Sequence, residues 1–453
     1  MRLAVVGVGG AGSRIVDRVL EFEQASGRNL CDGNTLLVDS GTSAFDAAGH
    51  VPEERRLVIG DVQWDVDDTS IDGDPDVAAA VAREEPTEIV RAFDLIEFHQ
   101  VDGVLVVAGL AGGTGGGAGA VVIDQLQTIC DEPVYAVGVL PAESEGQESA
   151  LTAARTLRSF VERADNVLVF DNDAWQAEAP RDGAVTSLPE EAVERLPDEA
   201  IPEEVVPETT YGETTDAVEG GTTDVPDGET ADPTDGGTVD GEPTDAAGHY
   251  ARANLALAER LVTLFAAGEF GGGSVPENRL DPSDIMRTLD TGGVSSIGFA
   301  STEVPRTGGL HAWIRWLSER LPWVPEPEPE READGSTDAA KINRLVRRAA
   351  RSDLTLPCEV SSADRALIVL SGPSGVLSRK GFESGRYWLE QEADIVDVMA
   401  GDEPHDRSNA LTAVVLYSNV TEVPRIDAMQ ETAVGRREAT DAEGTAVDAA
   451  NTP

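Results

Sequence analysis

A run of glycines between two apolar segments limits most strongly what this chain can fold into. The run is Gly109–Ala120, GLAGGTGGGAGA, preceded by Val104–Ala108 and followed by Val121–Leu126. The first apolar segment is short and β-branched, as in a buried strand, and the second has helical spacing. Backbone N–H groups of glycines at a strand-to-helix turn form a cradle for an anion, so this turn predicts a phosphate site. A flexible linker is the alternative, but linkers are rarely bounded on both sides by core-forming segments.

A second glycine turn lies near the start of the chain. The predicted strand Arg2–Val6 leads into Gly7–Gly12, GVGGAG, and an amphipathic helix follows. This turn matches the dinucleotide pattern GxGxxG, and Leu36–Asp39 predicts a strand that ends in an acid at roughly the distance where a dinucleotide enzyme holds a ribose. A nicotinamide or flavin enzyme is therefore one hypothesis. Two glycine turns on strands far apart in the sequence instead favour a polyphosphate held from both sides.

Strands, loops and helices alternate as far as Trp175. Val134–Pro141 and Val167–Phe170 are predicted strands, and Ala150–Arg163 is a predicted helix. The alternation predicts an α/β fold with a doubly wound, mostly parallel sheet over residues 1–175. Ligands of such sheets bind at the carboxyl ends of the strands, so the polar loops should meet there.

An acidic turn lies between the two glycine turns and contains Asp72, Asp74 and Asp76. Carboxylate oxygens suit a hydrated Mg²⁺, so these side chains could hold that ion near phosphates. A solvated acidic loop in an acidic protein is the simpler interpretation. The sequence alone supports both.

Charge excludes some classes of function. The chain of 453 residues has 84 Asp and Glu against 34 Lys and Arg, a formal net charge of −50. A basic nucleic-acid-binding face is not expected, and acid excess with almost no lysine is typical of an extreme halophile such as a halophilic archaeon. The sequence contains no signal peptide and no apolar run of membrane-spanning length, which predicts a cytoplasmic protein without direct membrane insertion. Cys31, Cys130 and Cys358 are widely spaced, which predicts free thiols.

The remainder of the chain divides into an acidic disordered insertion, a central helix, a compact α+β domain and a disordered acidic tail, predicted at residues 176–248, 249–270, 271–430 and 431–453. In the α+β domain, strands are predicted at Ile297–Thr302, Leu356–Val360, Arg365–Ser371 and Ala413–Ser418, and helices at Ala340–Ala350 and Val376–Gln391.

Two pairs of polar residues in these segments have a simple structural explanation and a functional one. Tyr250 and Asn254 share one face of the central helix. An aromatic ring stacked on a base and an amide that contacts its edge would account for them, although packing and solvent contact are the commoner reasons. Asp281 precedes Pro282, so Asp281 is a predicted N-cap and Asp284 a favourable first-turn acid.

Several stretches together resemble the tubulin/FtsZ superfamily, and in particular its haloarchaeal CetZ group. The run GLAGGTGGGAGA is similar to the superfamily's phosphate loop, GGGTGSG, and the order of the other segments also fits. The resemblance covers Met1–Trp175 and about His249–Gln430. Further matching stretches are Asp171–Trp175, Phe265–Glu269, Arg379–Glu383 and Val423–Ile426.

The resemblance implies a GTP-binding, polymer-forming cytoskeletal protein with its nucleotide at the contact between successive subunits. It assigns the α- and β-phosphates to Gly9, Gly10, Ala11 and Gly12, and the main cradle to Gly112, Gly113, Thr114, Gly115, Gly116 and Gly117. It assigns the ribose to Glu145 and guanine to Asn172, Tyr250 and Asn254. Asp281 and Asp284 match the acids that reach the next subunit's pocket and position or deprotonate the water attacking the γ-phosphate.

Two single residues and one loop differ from the superfamily pattern. Ser13 stands where many relatives have glycine, Asp72–Pro75 replaces a glycine-richer γ-phosphate-sensing loop, and Ser149 stands where FtsZ has an arginine. Aspartates beside a triphosphate repel it unless a cation intervenes. Nucleotide binding is still expected, and the differences bear on the rate of hydrolysis.

The leading hypothesis is a CetZ-type protein that binds GTP or GDP with Mg²⁺, assembles head to tail with itself, hydrolyses GTP and controls cell shape, with division as a second cytoskeletal role. One alternative is a GTP-binding or GDP-binding regulator that does not hydrolyse and joins the filaments of a paralogous tubulin-like protein. The other is a Rossmann-type NAD(P) or flavin oxidoreductase. Association with a membrane would need an adaptor.

Overall fold

The structure, a computed structural model, describes residues 1–60, 73–176, 244–267, 280–304, 338–405 and 408–434. Most of the predicted acidic insertion and most of the predicted acidic tail lie outside the described residues, as does Asp72. The described segments build a sheet that continues through both halves of the chain.

The strands of the described segments are β1 Leu3–Val8, β2 Thr35–Asp39, β3 Arg56–Val58, β4 Gly103–Gly109, β5 Val134–Leu140, β6 Asn166–Asp171, β7 Val294–Glu303, β8 Ala363–Gly372, β9 Asp397–Pro404 and β10 Ala410–Val420. They form a sheet in the order β3-β2-β1-β4-β5-β6-β7-β10-β8-β9. Pairing is parallel from β3 to β7, whereas β10 is antiparallel to both of its neighbours and β9 is parallel to β8.

The helices are α1 Gly9–Ser26, α2 Pro75–Glu84, α3 Pro86–Phe93, α4 Gly119–Ile129, α5 Gly146–Val161, α6 Asn172–Gln176, α7 Thr244–Phe265, α8 Pro282–Leu289, α9 Asp338–Arg351, α10 Arg379–Glu392 and α11 over residues 424–434. Local sequence explains several ends. Asp74 caps α2 by accepting the N–H of Asp76 at 2.8 Å, with Pro75 in the first turn. Gly27 ends α1 in the left-handed region with φ +70°.

Alternate residues of the central strands enter two cores on opposite faces of the sheet. Val6 and Val106 belong to one core, and Val5 and Leu105 belong to the other, where α7 packs against α1. Each of these side chains is fully buried, and burial of a Val or Leu contributes roughly 1.5–3 kcal/mol. Two-sided burial explains why these strands are nearly continuous apolar runs. The doubly wound α/β fold predicted from the sequence is confirmed.

A short ladder joins the two halves of the sheet. In the described residues β6 pairs with β7 only at Val167–Val294 and Leu168–Ser295. Buried polar groups reinforce it, since Ser295 Oγ donates to Asn166 Oδ1 at 2.6 Å and Asn166 Nδ2 donates to Ser418 Oγ at 3.1 Å. The ladder makes the second domain a continuation of the first sheet.

Two features of the second half differ from the sequence predictions. Leu356–Val360 is a predicted strand, but its described backbone is irregular and runs into a short 3-10 turn. Pro357 has no N–H for a ladder, and the N–H of Leu356 donates instead to Ser296 Oγ at 3.1 Å. The edge strand β9, Asp397–Pro404, is not predicted, because its sequence DVMAGDEP lacks clear apolar alternation.

The remaining sequence expectations concern membranes and cysteines. None of the described helices combines the length and apolarity needed to cross a bilayer. All three cysteines are free thiols, as predicted. Cys31 is fully buried, and burial raises the pKa of its thiol well above the usual value.

Candidate functional site

The carboxyl ends of β1, β4, β5 and β6 lie side by side, because these strands are neighbours in the parallel sheet. The segments that follow them start at Gly9, Leu110, Pro141 and Asn172. Both glycine runs, the predicted ribose residue Glu145 and the predicted base residue Asn172 therefore follow neighbouring strands, whereas Tyr250 and Asn254 lie on α7. This edge is the usual position of a ligand on an α/β sheet.

The two glycine runs pack directly against each other. Gly9 has φ +75°, and a Cβ there would lie 2.7 Å from the backbone nitrogen of Gly115. A Cβ on Gly12 would overlap the carbonyl oxygen of Val107. A side chain at either position would force the loops apart, so glycine permits their close approach. The structure thus brings together two turns that are far apart in the sequence.

The second glycine run leads from an exposed loop into a buried helical turn. Thr114–Ala118 forms a single π-helical turn continuous with α4, and the N–H of Gly116 donates to Gly112 O at 2.9 Å. A Cβ on Gly113 would lie 2.7 Å from the carbonyl carbon of Gly73. Gly73 belongs to the loop that the sequence predicts to sense a γ-phosphate, and Gly113 belongs to the main cradle, so the loop and the cradle are in contact.

The predicted cradle residues divide by exposure. Gly112 is exposed and Gly10 and Ala11 are half-buried, so these three line the side that a ligand can reach. The other members are buried: Gly9, Gly12, Gly113, Thr114, Gly115, Gly116 and Gly117. The glycines among them permit close packing because they carry no side chain, as where a Cβ on Gly117 would overlap the carbonyl oxygen of Pro75.

Thr114 directs its hydroxyl toward the loop after β2. Thr114 Oγ1 and Ser40 Oγ share a hydrogen bond of 2.8 Å, and Asp39 Oδ1 accepts the N–H of Ser40 at 2.7 Å. Asp39 is 5% exposed, and burial raises the pKa of its carboxyl. A carboxyl engaged with its own loop and with the glycine cradle does not have the exposed position that a ribose-binding acid of a dinucleotide enzyme requires.

Glu145 and Tyr250 are brought together from distant parts of the chain. Glu145 Oε1 accepts hydrogen bonds from Tyr250 Oη at 3.0 Å and from the N–H of Ala142 at 2.8 Å. Burial, the hydrogen bond to Glu145, and the charges of Glu145 and Asp173 raise the pKa of Tyr250 to about 12, so its hydroxyl remains a donor. Asn254 lies one turn further along α7 and is half-buried.

Asn172 follows β6 and is close in sequence to a stack of aromatic and cationic groups. Asn172 itself is 8% exposed. Three residues further on, Trp175 stacks on Phe170 with ring centroids 5.5 Å apart. The guanidinium of Arg260, from α7, lies 4.3 Å from the Trp175 centroid and 4.7 Å from that of Phe299 on β7. Burial lowers the pKa of Arg260 to about 10, so the side chain is still a cation at neutral pH.

Arg425 also reaches this edge, although the sequence predicts no role for it. Arg425 Nη2 donates to the carbonyl oxygen of Pro141 at 2.9 Å, and Nη1 donates to Glu143 Oε1 at 3.1 Å. Its Nε lies 3.7 Å from Asp171 Oδ1. The only sequence signal was that Arg425 lies in a stretch matching the CetZ group.

The two predicted catalytic acids cap a helix at another edge of the sheet. Asp284 Oδ2 accepts the N–H of Asp281 at 3.0 Å, and the N–H of Asp284 donates to Asp281 O at 2.9 Å, at the start of α8. At the other end of α8, Leu289 O accepts from Asn166 Nδ2 at 3.1 Å. Because Asn166 begins β6 and Asn172 follows its end, α8 is anchored at the edge opposite the glycine loops.

The charges near the glycine loops are mixed. Asp74 is exposed, and its backbone nitrogen lies 3.1 Å from the position of a Cβ on Gly113. The guanidinium of Arg14 lies over Gly10, 3.5 Å from the position of a Cβ there. Within the described ranges, no group of three His, Cys, Asp or Glu side chains has the arrangement of a metal site. A polyanion here would interact with backbone N–H groups, Arg14 and cations from solution.

Comparison with protein families finds two matches that together span most of the chain. Residues 2–180 match the family described as Tubulin/FtsZ family, GTPase domain. Residues 244–435 match the family described as Tubulin-like CetZ, C-terminal domain. The stretch between the two matches falls within the predicted acidic insertion.

Individual proteins of Haloferax volcanii are similar over almost their whole length. Tubulin-like protein CetZ3 is 35% identical over 96% of this chain and 92% of its own, and CetZ1 is 34% identical over the same shares. A solved structure of CetZ1 as a GDP-bound monomer has 30% identity, a TM-score of 0.69, and covers 96% of this chain and 100% of its own. A GTPγS-bound protofilament of CetZ2 has 25% identity, a TM-score of 0.67, and covers 98% and 100%.

Proposed function

The chain belongs to the CetZ group of the tubulin/FtsZ family, and on that basis we propose that it binds GTP and GDP, assembles head to tail and hydrolyses GTP at the contact between subunits. One observation carries the proposal: Gly9 packs on Gly115 at the same sheet edge where Tyr250 contacts Glu145. A phosphate cradle and a nucleoside pocket lie on the same edge in that arrangement. The GDP-bound monomer of CetZ1 and the GTPγS-bound protofilament of CetZ2 support it.

The phosphates bind between the two glycine loops. The accessible residues Gly10, Ala11 and Gly112 offer backbone N–H groups, and α1 and α4 direct the positive ends of their dipoles to this edge. The buried glycines bring the two loops within contact distance. Arg14 adds a positive charge beside the first loop, which offsets part of the acidic surroundings.

The nucleoside binds beside the phosphates, between α7 and the loops after β5 and β6. Glu145 accepts hydrogen bonds from the ribose hydroxyls, and the ring of Tyr250 stacks on guanine. Asn172 and Asn254 hydrogen-bond the edge of the base. A dinucleotide enzyme is the weaker hypothesis, because Asp39, its candidate ribose ligand, is buried against Ser40 and the cradle.

Hydrolysis requires a second subunit. Asp281 caps α8 and Asp284 lies in its first turn, and α8 is anchored at the edge opposite the glycine loops, so both acids face another subunit's nucleotide when copies stack head to tail. There they position or deprotonate the attacking water. A head-to-tail contact is heterologous, and it produces a filament when the rotation does not close a ring. The structure of CetZ2 as a protofilament supports this assembly.

Mg²⁺ accompanies the triphosphate in this proposal. Magnesium usually keeps several waters and takes one or two carboxylates together with phosphate oxygens. The exposed Asp74 beside Gly113 fits that limited contribution from protein, and it is the residue we assign to the ion. Mg²⁺ would neutralise phosphate charge, which otherwise repels Asp74.

At the cellular level, we assign the protein to cytoplasmic filaments that control cell shape, alone or with paralogous tubulin-like proteins. We divide the chain into a nucleotide-binding domain, a central helix and a C-terminal activation domain; the first corresponds to one family match, and the other two lie together within the second. The exposed Asp74 in the γ-phosphate loop favours one second candidate. It is a GTP-binding subunit that hydrolyses little and regulates a paralogue's filaments.

A mixing experiment tests whether one subunit completes another's site. Asp284→Asn removes the acid while its amide oxygen can still accept the cap hydrogen bond from Asp281, and Tyr250→Ala weakens the nucleotide pocket. Each variant alone should hydrolyse GTP slowly. An equimolar mixture should recover activity at contacts where the intact nucleotide pocket of Asp284→Asn meets the intact acids of Tyr250→Ala. Asp290→Asn, an exposed acid at the other end of α8, is the control and should retain turnover. A mixture no more active than its parts would contradict hydrolysis in trans.

A further inference from the structure

A single arginine of the C-terminal domain bridges the two loops that carry the nucleoside residues. Arg425 lies in α11 and its side chain is only 14% exposed. It donates to Pro141 O at 2.9 Å and to Glu143 Oε1 at 3.1 Å in the loop after β5, and its Nε lies 3.7 Å from Asp171 Oδ1 at the end of β6. One planar guanidinium thus contacts both loops.

Each of these contacts is close in sequence to a proposed nucleoside ligand. Glu145 follows Glu143 by two residues, and Asn172 follows Asp171 directly. The two loops also touch each other, since the N–H of Glu143 donates to Asp173 Oδ1 at 3.2 Å. The distance between Glu145 and Asn172 therefore depends on a small set of contacts, and Arg425 makes three of them.

We propose that Arg425 is a positioning residue for the nucleoside half of the site, which holds Glu145 and Asn172 at the separation that ribose and guanine require. The inference rests on the proposed nucleotide-binding function and extends it to a residue of the C-terminal domain. It makes the docking of α11 on the first domain a determinant of nucleotide affinity. The contacts given above for Arg425 are with the loops after β5 and β6, which carry the nucleoside residues, so its effect should fall on the nucleoside half of the site.

Arginine suits this position better than lysine would. The guanidinium presents several donors in a fixed plane, so it can satisfy a carbonyl oxygen and a carboxylate at once, whereas a lysine ammonium is a compact point charge on a flexible stem. Lysine at residue 425 should keep a positive charge near Asp171 but lose the fixed connection between the loops. The two substitutions Arg425→Lys and Arg425→Met therefore separate charge from geometry.

The charge of Arg425 also affects Asp171. Burial raises the pKa of Asp171 to about 6, the N–H of Asp173 and the charge of Arg425 lower it, and the charges of Asp173 and Glu143 raise it. Removing the guanidinium should therefore raise this pKa further. A neutral Asp171 accepts hydrogen bonds more weakly, which loosens the turn into Asn172. Nucleotide binding in Arg425→Met should accordingly require a higher pH than in the wild type.

Arg28 provides a matched control for a purely structural contact between the domains. Its Nη2 donates to Ser371 Oγ at 2.7 Å and to Glu403 Oε2 at 2.9 Å, and its side chain is 3% exposed. Arg28 is two residues from Leu30, whose carbonyl accepts the N–H of Leu3 at the start of β1, away from Gly9. Arg28→Met thus removes an interdomain arginine without touching the nucleoside loops.

The experiment is a titration of the full chain with GTP and with GDP in molar KCl, followed by a fluorescent guanine nucleotide or by calorimetry, between pH 5.5 and 8. We expect Arg425→Met to lower the affinity for GTP and for GDP by the same factor, about tenfold, since Arg425 acts on the nucleoside that both share. Arg425→Lys should recover part of the loss, and the affinity profile of Arg425→Met should shift to higher pH. Arg28→Met should bind both nucleotides as the wild type does.

Three results would overturn the inference. The first is unchanged affinity in Arg425→Met, the second an equal loss in Arg28→Met, and the third a loss for GTP that GDP does not share. If Arg425→Met fails to fold, Glu143→Ala serves instead, because Glu143 is 74% exposed and its loss removes one of the three contacts. We expect Glu143→Ala to lower the affinity for GTP and for GDP equally, by less than Arg425→Met does. Unchanged affinity in Glu143→Ala would contradict the inference. If the wild type itself binds neither GTP nor GDP, the proposed function is wrong, and the inference, which rests on it, is wrong as well.

Discussion

Tyr250 donates a hydrogen bond to Glu145 Oε1 at 3.0 Å and thereby connects the central helix α7 to the loop after β5. The same oxygen of Glu145 also accepts the N–H of Ala142 at 2.8 Å. The ring proposed to stack on guanine and the carboxylate proposed to bind ribose are thus held together by a direct contact. Their contributions to binding should therefore depend on each other.

Tyr250→Phe tests this dependence. It keeps the aromatic ring but removes the hydroxyl, so Glu145 loses the hydrogen bond from Tyr250, and affinity for GTP should fall by roughly fivefold, about 1 kcal/mol. In a Glu145→Ala background the same substitution should have almost no further effect. Nucleotide titrations of the two single variants and the double variant measure the coupling. Independent, additive losses would show that the hydroxyl does not act through Glu145.

Gly9→Ala tests the contact between the two glycine loops. A Cβ at this position would lie 2.7 Å from Gly115 N, in a backbone conformation with φ +75°. We expect loss of nucleotide binding and a decrease of at least about 2 kcal/mol in the free energy of unfolding. Gly33→Ala is the control, because Gly33 has φ +78° but, among the described residues other than its chain neighbours, no atom lies within 4 Å of the added Cβ. It should cost about 1 kcal/mol of backbone strain and leave binding intact. Equal behaviour of the two variants would argue against the loop contact.

The free energy of unfolding should depend on pH through the protonation of Asp171. Burial raises its pKa from 3.8 to about 6, so the folded state binds this proton more tightly than the unfolded chain does. The resulting stabilisation is present below about pH 4 and is lost as the pH rises to about 6, and it amounts to at most about 3 kcal/mol. Asp171→Asn should therefore gain stability relative to the wild type over this interval.

Denaturant unfolding of both proteins at several pH values between 4 and 7, in molar KCl, measures this difference. Asp364→Asn is the control for loss of one carboxylate, since Asp364 is an exposed residue of β8. The difference in the free energy of unfolding between Asp364→Asn and the wild type should change little with pH. A pH-independent difference for Asp171→Asn as well would mean that the proton on Asp171 is not linked to folding.

Arg260 should contribute to stability mainly by packing. Its guanidinium lies between Trp175 and Phe299 in a fully buried position, where α7 meets both domains. Arg260→Ala leaves a cavity there and should lower the free energy of unfolding by about 3–5 kcal/mol. Arg260→Met refills much of the volume without a buried charge and should cost less than half as much. Guanidinium chloride unfolding compares the two, and a methionine variant as unstable as the alanine variant would indicate that the charge itself is required.

The sheet and the glycine loops could be predicted from the sequence because local patterns determine them. The apolar run at Val104–Ala108 can only be buried on both faces, and glycine at Gly9 and Gly12 marks places where backbone approaches backbone. The segment at Leu356 has strand-like composition, but Pro357 removes a ladder donor and the chain stays irregular. The strand β9 lies at the sheet edge, where burial places weak demands on its residues.

Long-range contacts in the site could not be predicted in the same way. Arg425 and Glu143 are 282 positions apart, and nothing in the sequence near either residue indicates the other. The pairing of Thr114 with Ser40 likewise depends on how β2 and β4 flank β1. The role of Asp281 and Asp284 as a helix cap is visible locally, whereas their proposed role depends on a second subunit.

The most direct measurement is GTP turnover per subunit as the protein concentration is raised, in molar KCl with Mg²⁺. A site completed by Asp281 and Asp284 of a neighbouring subunit must show specific activity that climbs from near zero once the concentration passes the threshold for assembly. Asp284→Asn should remove that rise while GTP binding persists. Specific activity that is the same at every concentration would contradict a catalytic site shared between subunits.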